Sequence, residues 1–154
     1  IVVDTLVEEW KYFKYHEFGY FSDRIKDTKT QMEIFLGIMK EKNNILHLLG
    51  ASTKGNTFLQ YCGITNKDIP YAAEVNPDKF GLRTAGSNIE IISEEDSLAM
   101  HPAMYVVPVW HFKKSILSNP KIQTYLNSGG YLVFPLPEFT VIGKDGELKY
   151  EHSD

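Results

Sequence analysis

The chain has 154 residues and a formal net charge of −4, and its length is typical of a single domain. With 43% hydrophobic and 23% charged residues, the composition is that of an ordinary globular protein. The acidic balance argues against binding to nucleic acid or to an anionic membrane, because both require clustered Lys and Arg. The single cysteine, Cys62, cannot form an internal disulfide, so we expect it in the core of a cytoplasmic protein.

Membrane insertion and secretion are also not expected from the sequence. No apolar stretch approaches the roughly 20 residues that cross a bilayer, and residues 1–4 lack the basic flank of a signal peptide. We therefore expect a soluble protein. The first residue is Ile1 and not a methionine, and we expect the sequence to be a domain of a longer chain.

The apolar pattern predicts helices that alternate with short strands. Helical spacing predicts a long helix at 21–39, preceded by an aromatic segment at 10–21 that we expect to meet another domain. Short apolar runs predict strands at 45–49, 71–75, 89–92, 105–107 and 131–134. Further helices are predicted at 56–62, after a capping box formed by Ser93 and Asp96, at 110–117, and at 121–126 beyond a break at Pro120.

The order of these elements predicts an α/β fold. Strands that alternate with helices form a mostly parallel sheet between two helical layers, with right-handed crossovers. We predict a Rossmann-like three-layer fold with N-terminal helices and a C-terminal antiparallel hairpin, with strands at 140–142 and 148–150. Residues 1–42 are expected to be a helical segment that packs on or links to a preceding domain, and residues 43–154 the Rossmann-like domain.

A glycine-bearing loop, GASTKGNT at 50–57, follows the first predicted strand. Ligands bind at this edge of open α/β sheets, and the amino terminus of a helix offers free N–H groups to phosphate. Glycines admit a close ligand, hydroxyls donate hydrogen bonds and lysine adds positive charge. We therefore predict that the substrate contacts Gly50, Ser52, Thr53, Lys54, Gly55, Asn56 and Thr57.

Other cofactor loops fit this segment less well. Its spacing approaches a Walker A loop, but Asn56 stands where that motif requires a lysine. It also lacks the G-x-G-x-x-G pattern and the closely spaced glycines of a SAM site, which argues against an independent nicotinamide-dependent enzyme. Glu74, at the end of the second strand, is either a ribose ligand or an ordinary solvated carboxylate. Lys54 either pairs with a diphosphate or is a surface lysine beside a helix start.

Five segments stand in order between residues 45 and 137: GASTKGNT at 50–57, LQYCGI at 59–64, EVNPDKFG at 74–81, WHF at 110–112 and GGYLVFPLP at 129–137. Together they resemble the C-terminal domain of the SAM-dependent nucleotide-sugar C-methyltransferase family. The resemblance implies a Rossmann-like domain whose full-length enzyme also has zinc-binding and SAM-binding domains. These enzymes methylate a carbon of a deoxy-keto sugar on a nucleoside diphosphate. The chain departs from the family pattern at Glu74, where Asp is usual, and at Ala85-Gly86, where Pro-Gly is usual.

The resemblance also implies which functional groups belong to this domain and which to the others. It places the general base, the SAM site and the zinc cysteines outside this sequence, so we predict no cofactor in this chain. We also predict no metal, because the five histidines are scattered along the sequence without the close pairing of metal ligands. Within the chain, it places Trp110 and His111 at the same substrate cleft as the loop. His111 is a candidate catalytic group or an ordinary solvated histidine, and Trp110 stacks on the substrate or packs in the core.

We therefore predict that this domain binds the nucleotide-sugar substrate while a SAM-binding methyltransferase domain, in the same or another chain, delivers the methyl group. The isolated domain is expected to be inactive. The alternative is a degenerate Rossmann-like scaffold or dimerisation domain whose loop holds no ligand.

Overall fold

The computed structural model describes Glu8 and residues 28–148. The helices of this part are α1 Thr28–Glu41, α2 Thr53–Cys62, α3 Glu94–Ala99, α4 Lys113–Leu117 and α5 Pro120–Asn127. The strands are β1 Leu46–Leu49, β2 Tyr71–Glu74, β3 Glu90–Ser93, β4 Met104–Val106, β5 Tyr131–Phe134, β6 Thr140–Gly143 and β7 Gly146–Glu147. Two short 3₁₀ turns lie at Pro77–Lys79 and Trp110–Phe112.

All of these strands belong to one sheet, in the order β3-β2-β1-β4-β5-β6-β7. Strands β1 to β5 run parallel, while β6 and β7 pair antiparallel at one edge. The strand order reverses between β1 and β4, and open α/β sheets bind ligands at such a switch point. This topology confirms the predicted α/β fold with a mostly parallel sheet and a C-terminal hairpin.

Both faces of the sheet are covered, because neighbouring residues of a strand point to opposite sides. On β4, Val106 packs in the cluster that includes Phe35 of α1 and Leu59 of α2. Its neighbour Tyr105 packs in the opposite cluster with Ile122 of α5. Apolar side chains on both faces explain why these strands read as continuous hydrophobic runs.

Several element boundaries differ from the predicted ones. Helix α2 begins at Thr53, three residues before its predicted start, because the Ser52 hydroxyl accepts a hydrogen bond from the Gly55 N–H at 3.0 Å and caps the helix. The predicted break near Pro120 separates α4 from α5, and Pro120 is itself the first residue of α5, one position before the predicted start, since the first turn of a helix needs no proline N–H. The second strand of the hairpin is Gly146–Glu147 and not 148–150, because the turn closes at residues 144–145. The aromatic segment at 10–21, the first part of the predicted helix at 21–39 and residues 149–150 of the predicted hairpin lie outside the described residues.

Two local predictions are confirmed. Cys62 is buried in the core. The Ser93 hydroxyl accepts from the Asp96 N–H at 3.0 Å and donates to its carboxylate at 2.7 Å, so this pair caps α3 as expected. Within the described residues, the helices are too short or too polar to cross a membrane.

A polar network is buried beneath α3. His47 of β1 is only 1% exposed, and its Nδ1 lies 2.8 Å from the Ser97 Oγ. The Ser97 Oγ lies 2.6 Å from the Tyr105 hydroxyl. Burial lowers the pKa of His47 to about 4 and raises the pKa of Tyr105 to about 12, so both groups are neutral at pH 7.

Candidate ligand site at the carboxyl edge of the sheet

The loop after β1 turns sharply into the amino terminus of α2. Gly50 has a φ of 92°, which favours glycine, and its N–H donates to the Ala73 carbonyl at 2.8 Å. Within α2, the N–H groups of Gly55 and Asn56 are bonded to Ser52. In the described part of the chain, no acceptor meets the N–H groups of the first two helical residues, Thr53 and Lys54. Two donors at the positive end of the helix dipole thus remain for a ligand.

The side chains of the loop divide into two groups. Thr53 and Lys54 are exposed, and they stand beside the two unbonded amides. Ser52 caps the helix, and the Thr57 hydroxyl donates to the Thr53 carbonyl at 3.3 Å. The Oδ1 of Asn56 is buried and has no hydrogen-bond partner in the structure as described. Of the predicted loop contacts, Thr53 and Lys54 therefore have the geometry most suited to an external anion.

The loop after β1 lies directly against the loop after β4. A Cβ atom on Gly55 would stand 3.2 Å from the Pro108 Cγ, and one on Gly50 would stand 3.7 Å from the Val109 Cγ2. The Gly55 position is tighter than ordinary van der Waals contact, so the absence of a side chain allows α2 to approach Pro108. The two loops that border the switch point are thus in contact.

Glu74, at the end of β2, directs its carboxylate toward the loop after β1. One oxygen, Oε1, accepts from the N–H groups of Val75 at 2.8 Å and Asn76 at 3.2 Å. The other, Oε2, accepts from the Ala51 N–H at 3.2 Å and from the Lys79 ammonium at 3.3 Å. Burial alone would raise the pKa of this carboxyl, but these hydrogen bonds together lower it.

This arrangement bears on the predicted ribose contact. A carboxylate has about four acceptor positions, and four donors already occupy those of Glu74. A ribose hydroxyl would have to displace one of them. The ribose contact stays a prediction.

Trp110 and His111 lie in the 3₁₀ turn that follows the loop after β4. Trp110 is 45% exposed and Phe112 is 54% exposed, so the alternative that Trp110 packs in the core is wrong. The ring centroids of Trp110 and His111 are 5.9 Å apart, and those of His111 and Phe112 are 4.5 Å apart. The turn therefore presents a row of accessible rings, and the substrate and catalytic roles of Trp110 and His111 stay predictions.

Lys79 also lies at this edge, although it is not among the predicted site residues. Its ammonium donates to the Ala51 carbonyl at 2.9 Å and pairs with Glu74. The Asn76 side chain accepts from the Asp78 N–H at 3.1 Å and caps the 3₁₀ turn Pro77–Lys79. The signal in the sequence was the Asn-Pro pair, which indicates a tight turn that brings Lys79 back over the loop.

Among the described residues we also looked for metal-binding clusters and for cavities. Among residues 28–148 and Glu8, no group of His, Cys, Asp or Glu side chains is placed to hold a metal ion. Open cavities of about 340 and 360 Å³ lie beside α1, and both include Leu36, Lys40 and Asp68 in their walls. Neither cavity is lined by residues 50–57 of the loop.

Comparison with known proteins gives one family. The model of the C-methyltransferase C-terminal domain matches residues 3–137, which is most of the chain. A search of curated proteins found no match to the sequence.

Proposed function

Because the chain belongs to the C-methyltransferase C-terminal domain family, we propose that it binds the nucleotide-sugar substrate of a SAM-dependent C-methyltransferase. The substrate is a deoxy-keto sugar carried on a nucleoside diphosphate, and its diphosphate lies at the amino terminus of α2. SAM binds in a separate methyltransferase domain of the same or another chain, in the cytoplasm.

The observation that carries this proposal is the pair of unbonded amides at Thr53 and Lys54. Both belong to the first turn of α2, where the helix dipole favours an anion, and the Lys54 side chain is exposed beside them. A lysine at the positive end of a helix is mildly unfavourable without an anion. A diphosphate removes this penalty and supplies acceptors for both amides.

Two features support a separate site for SAM. The carboxylate of Glu74 already holds four donors of its own domain, so a cofactor ribose, like a substrate ribose, would have to displace one of them. The loop has Gly50 and Gly55 but not the closely spaced glycines that let a cofactor lie against the backbone. Both features favour a site for a phosphate group over a site for SAM.

The division of labour suits the chemistry of C-methylation. SAM, bound in the separate methyltransferase domain, would supply the methyl group, and a base of that domain would take the proton from the carbon beside the ketone. The new C–C bond would form as the C–S bond of SAM broke, with S-adenosylhomocysteine as the leaving group. Binding of the distant diphosphate here orients the reacting carbon, which lowers the entropic cost of the step. The exposed ring of Trp110 contributes by stacking on the base or the sugar.

Isothermal titration of the chain with dTDP, UDP, SAM and NAD tests this proposal. We expect a nucleoside diphosphate to bind and SAM not to bind. Lys54→Ala should weaken the affinity about fivefold, since one charged contact to phosphate is lost. Lys67→Ala is a matched control, because Lys67 is an exposed lysine that lies in the wall of a cavity beside α1, and it should bind as the wild type does.

The other outcomes count against the proposal. Tight SAM binding would contradict the division of labour, and equal affinities of wild type and Lys54→Ala would contradict the diphosphate site. Absence of binding by all four compounds would favour the scaffold or dimerisation alternative.

A further inference from the structure

We propose that Lys79 and Glu74 are positioning residues, which clamp the backbone of Ala51 and so hold the loop at the amino terminus of α2 in its binding conformation. This inference rests on the proposed function, since it concerns the same loop. Lys79 donates to the Ala51 carbonyl at 2.9 Å, and Glu74 accepts from the Ala51 N–H at 3.2 Å. The two side chains meet at 3.3 Å and close the ring.

The clamp is anchored at its far end. The N–H groups of Val75 and Asn76 fix the orientation of the Glu74 carboxylate through Oε1, and this side chain is 11% exposed. Lys79 follows in a capped 3₁₀ turn, with its side chain 39% exposed. Hydrogen bonds to charged groups in partly buried positions are stronger than those between neutral groups.

The position of Ala51 explains why the clamp matters for binding. Ala51 is buried and immediately precedes Ser52, which caps α2. A rotation of its peptide groups would move the cap and reorient the amides of Thr53 and Lys54. Holding both polar groups of one residue therefore fixes the direction of the donors that face the ligand.

Charge gives Lys79 a second role. The Glu74 carboxylate accepts from Ala51, the residue before the helix cap Ser52, and an uncompensated negative charge there would repel a diphosphate at the amino terminus of α2. The Lys79 ammonium offsets that charge, and its hydrogen bonds in the structure go to Glu74 and to the Ala51 carbonyl. Lys79 thus acts through Ala51 and Glu74.

Amide hydrogen exchange measured by NMR on the full chain tests the clamp directly. In Lys79→Met, exchange at the Ala51 amide should become about tenfold faster. The loop can then open without the cost of breaking the charged contacts that Lys79 makes. In Lys79→Arg, which keeps the charge and the donor, most of the protection should return. The control Lys67→Met removes a lysine elsewhere on the surface and should leave exchange at Ala51 unchanged.

Titration with dTDP provides the second measurement. Lys79→Met should weaken the affinity for dTDP at least about threefold, and Lys79→Arg should restore most of it. A variant that is only less stable but still folded should keep the affinity of the wild type. If Lys79→Met does not fold, Glu74→Gln takes its place, and faster exchange at Ala51 in that variant supports the clamp.

The results separate this inference from the proposed function. A wild type that binds no nucleoside diphosphate overturns the proposed function and with it the role of the clamp in binding, whether or not exchange at Ala51 responds. A wild type that binds dTDP, together with unchanged exchange at Ala51 in Lys79→Met or in its replacement Glu74→Gln, overturns the clamp alone.

Discussion

His47 makes the free energy of unfolding depend on pH. Its imidazole is 1% exposed, and desolvation lowers its pKa from the ordinary 6.5 to about 4. One pKa unit corresponds to about 1.36 kcal/mol of free energy, so the difference between the folded and unfolded chains corresponds to roughly 3 kcal/mol. That is a large part of the roughly 5–15 kcal/mol by which a domain is stable.

The direction follows from proton counts. Between pH 6.5 and about 4, the unfolded chain binds a proton at His47 that the folded chain does not bind. Stability rises with pH wherever the unfolded state holds more protons. The stability that the neutral His47 of the folded chain confers is therefore fully present above pH 6.5. It decreases as the pH falls through this window and is lost below about pH 4.

Urea unfolding at intervals from pH 7 to pH 4.5, followed by circular dichroism, measures this dependence. His47→Asn is the comparison, because the amide oxygen can take the place of Nδ1 toward Ser97 but does not titrate. We expect the wild type to lose about 2–3 kcal/mol over this range and the variant to lose much less. The lowered pKa of Glu74 adds a loss chiefly below its ordinary 4.5, and both proteins share it. Parallel losses in the two proteins between pH 7 and pH 5 would refute this account of His47.

Two further predictions concern stability. Gly130→Ala should destabilise the fold by about 3 kcal/mol or more, because its Cβ would stand 2.2 Å from the Tyr125 ring, and that ring is buried. Gly37→Ala is its control: nothing lies within 4 Å of the new Cβ in α1, and a gain of about 0.5–1 kcal/mol is expected. Ser52→Ala should cost about 1 kcal/mol, because the Gly55 N–H loses its cap. Urea unfolding at pH 7 checks all three, and a stable Gly130→Ala or an unaffected Ser52→Ala would contradict the packing and capping described.

The strands of this fold could be predicted from the sequence because burial on both faces leaves a simple signal. All four residues of β1 are buried, so the strand reads as an apolar run, and its predicted bounds are wrong by one residue. The start of α2 was harder to predict. Ser52 caps the helix, but the third helical position is Gly55 and not the Glu or Gln of a capping box. The local sequence therefore reads as loop.

In the candidate site, too, the features that depend on neighbouring residues could be predicted, and the contacts between distant segments could not. Glycines, hydroxyls and a lysine within eight consecutive residues indicate a phosphate loop without knowledge of the fold. The contacts of Glu74 and Lys79 with Ala51 join residues 23 and 28 positions apart. They arise because β1 and β2 lie side by side and parallel, so that the segments following them meet at one edge. Pattern reasoning on single segments does not reveal such a contact.

The carboxylate of Glu74 makes contacts within its own domain that its place in the fold does not by itself suggest. At the end of the second strand, a Rossmann-like fold commonly holds a carboxylate that accepts from a ribose. In this domain the carboxylate at that position accepts from the Ala51 N–H in the loop after β1 and pairs with Lys79. Breaking the clamp would free carboxylate oxygens, but it would also release the loop that shapes the edge. A gain of ribose binding from such a change is thus not expected, because the acceptor and the loop geometry depend on one another.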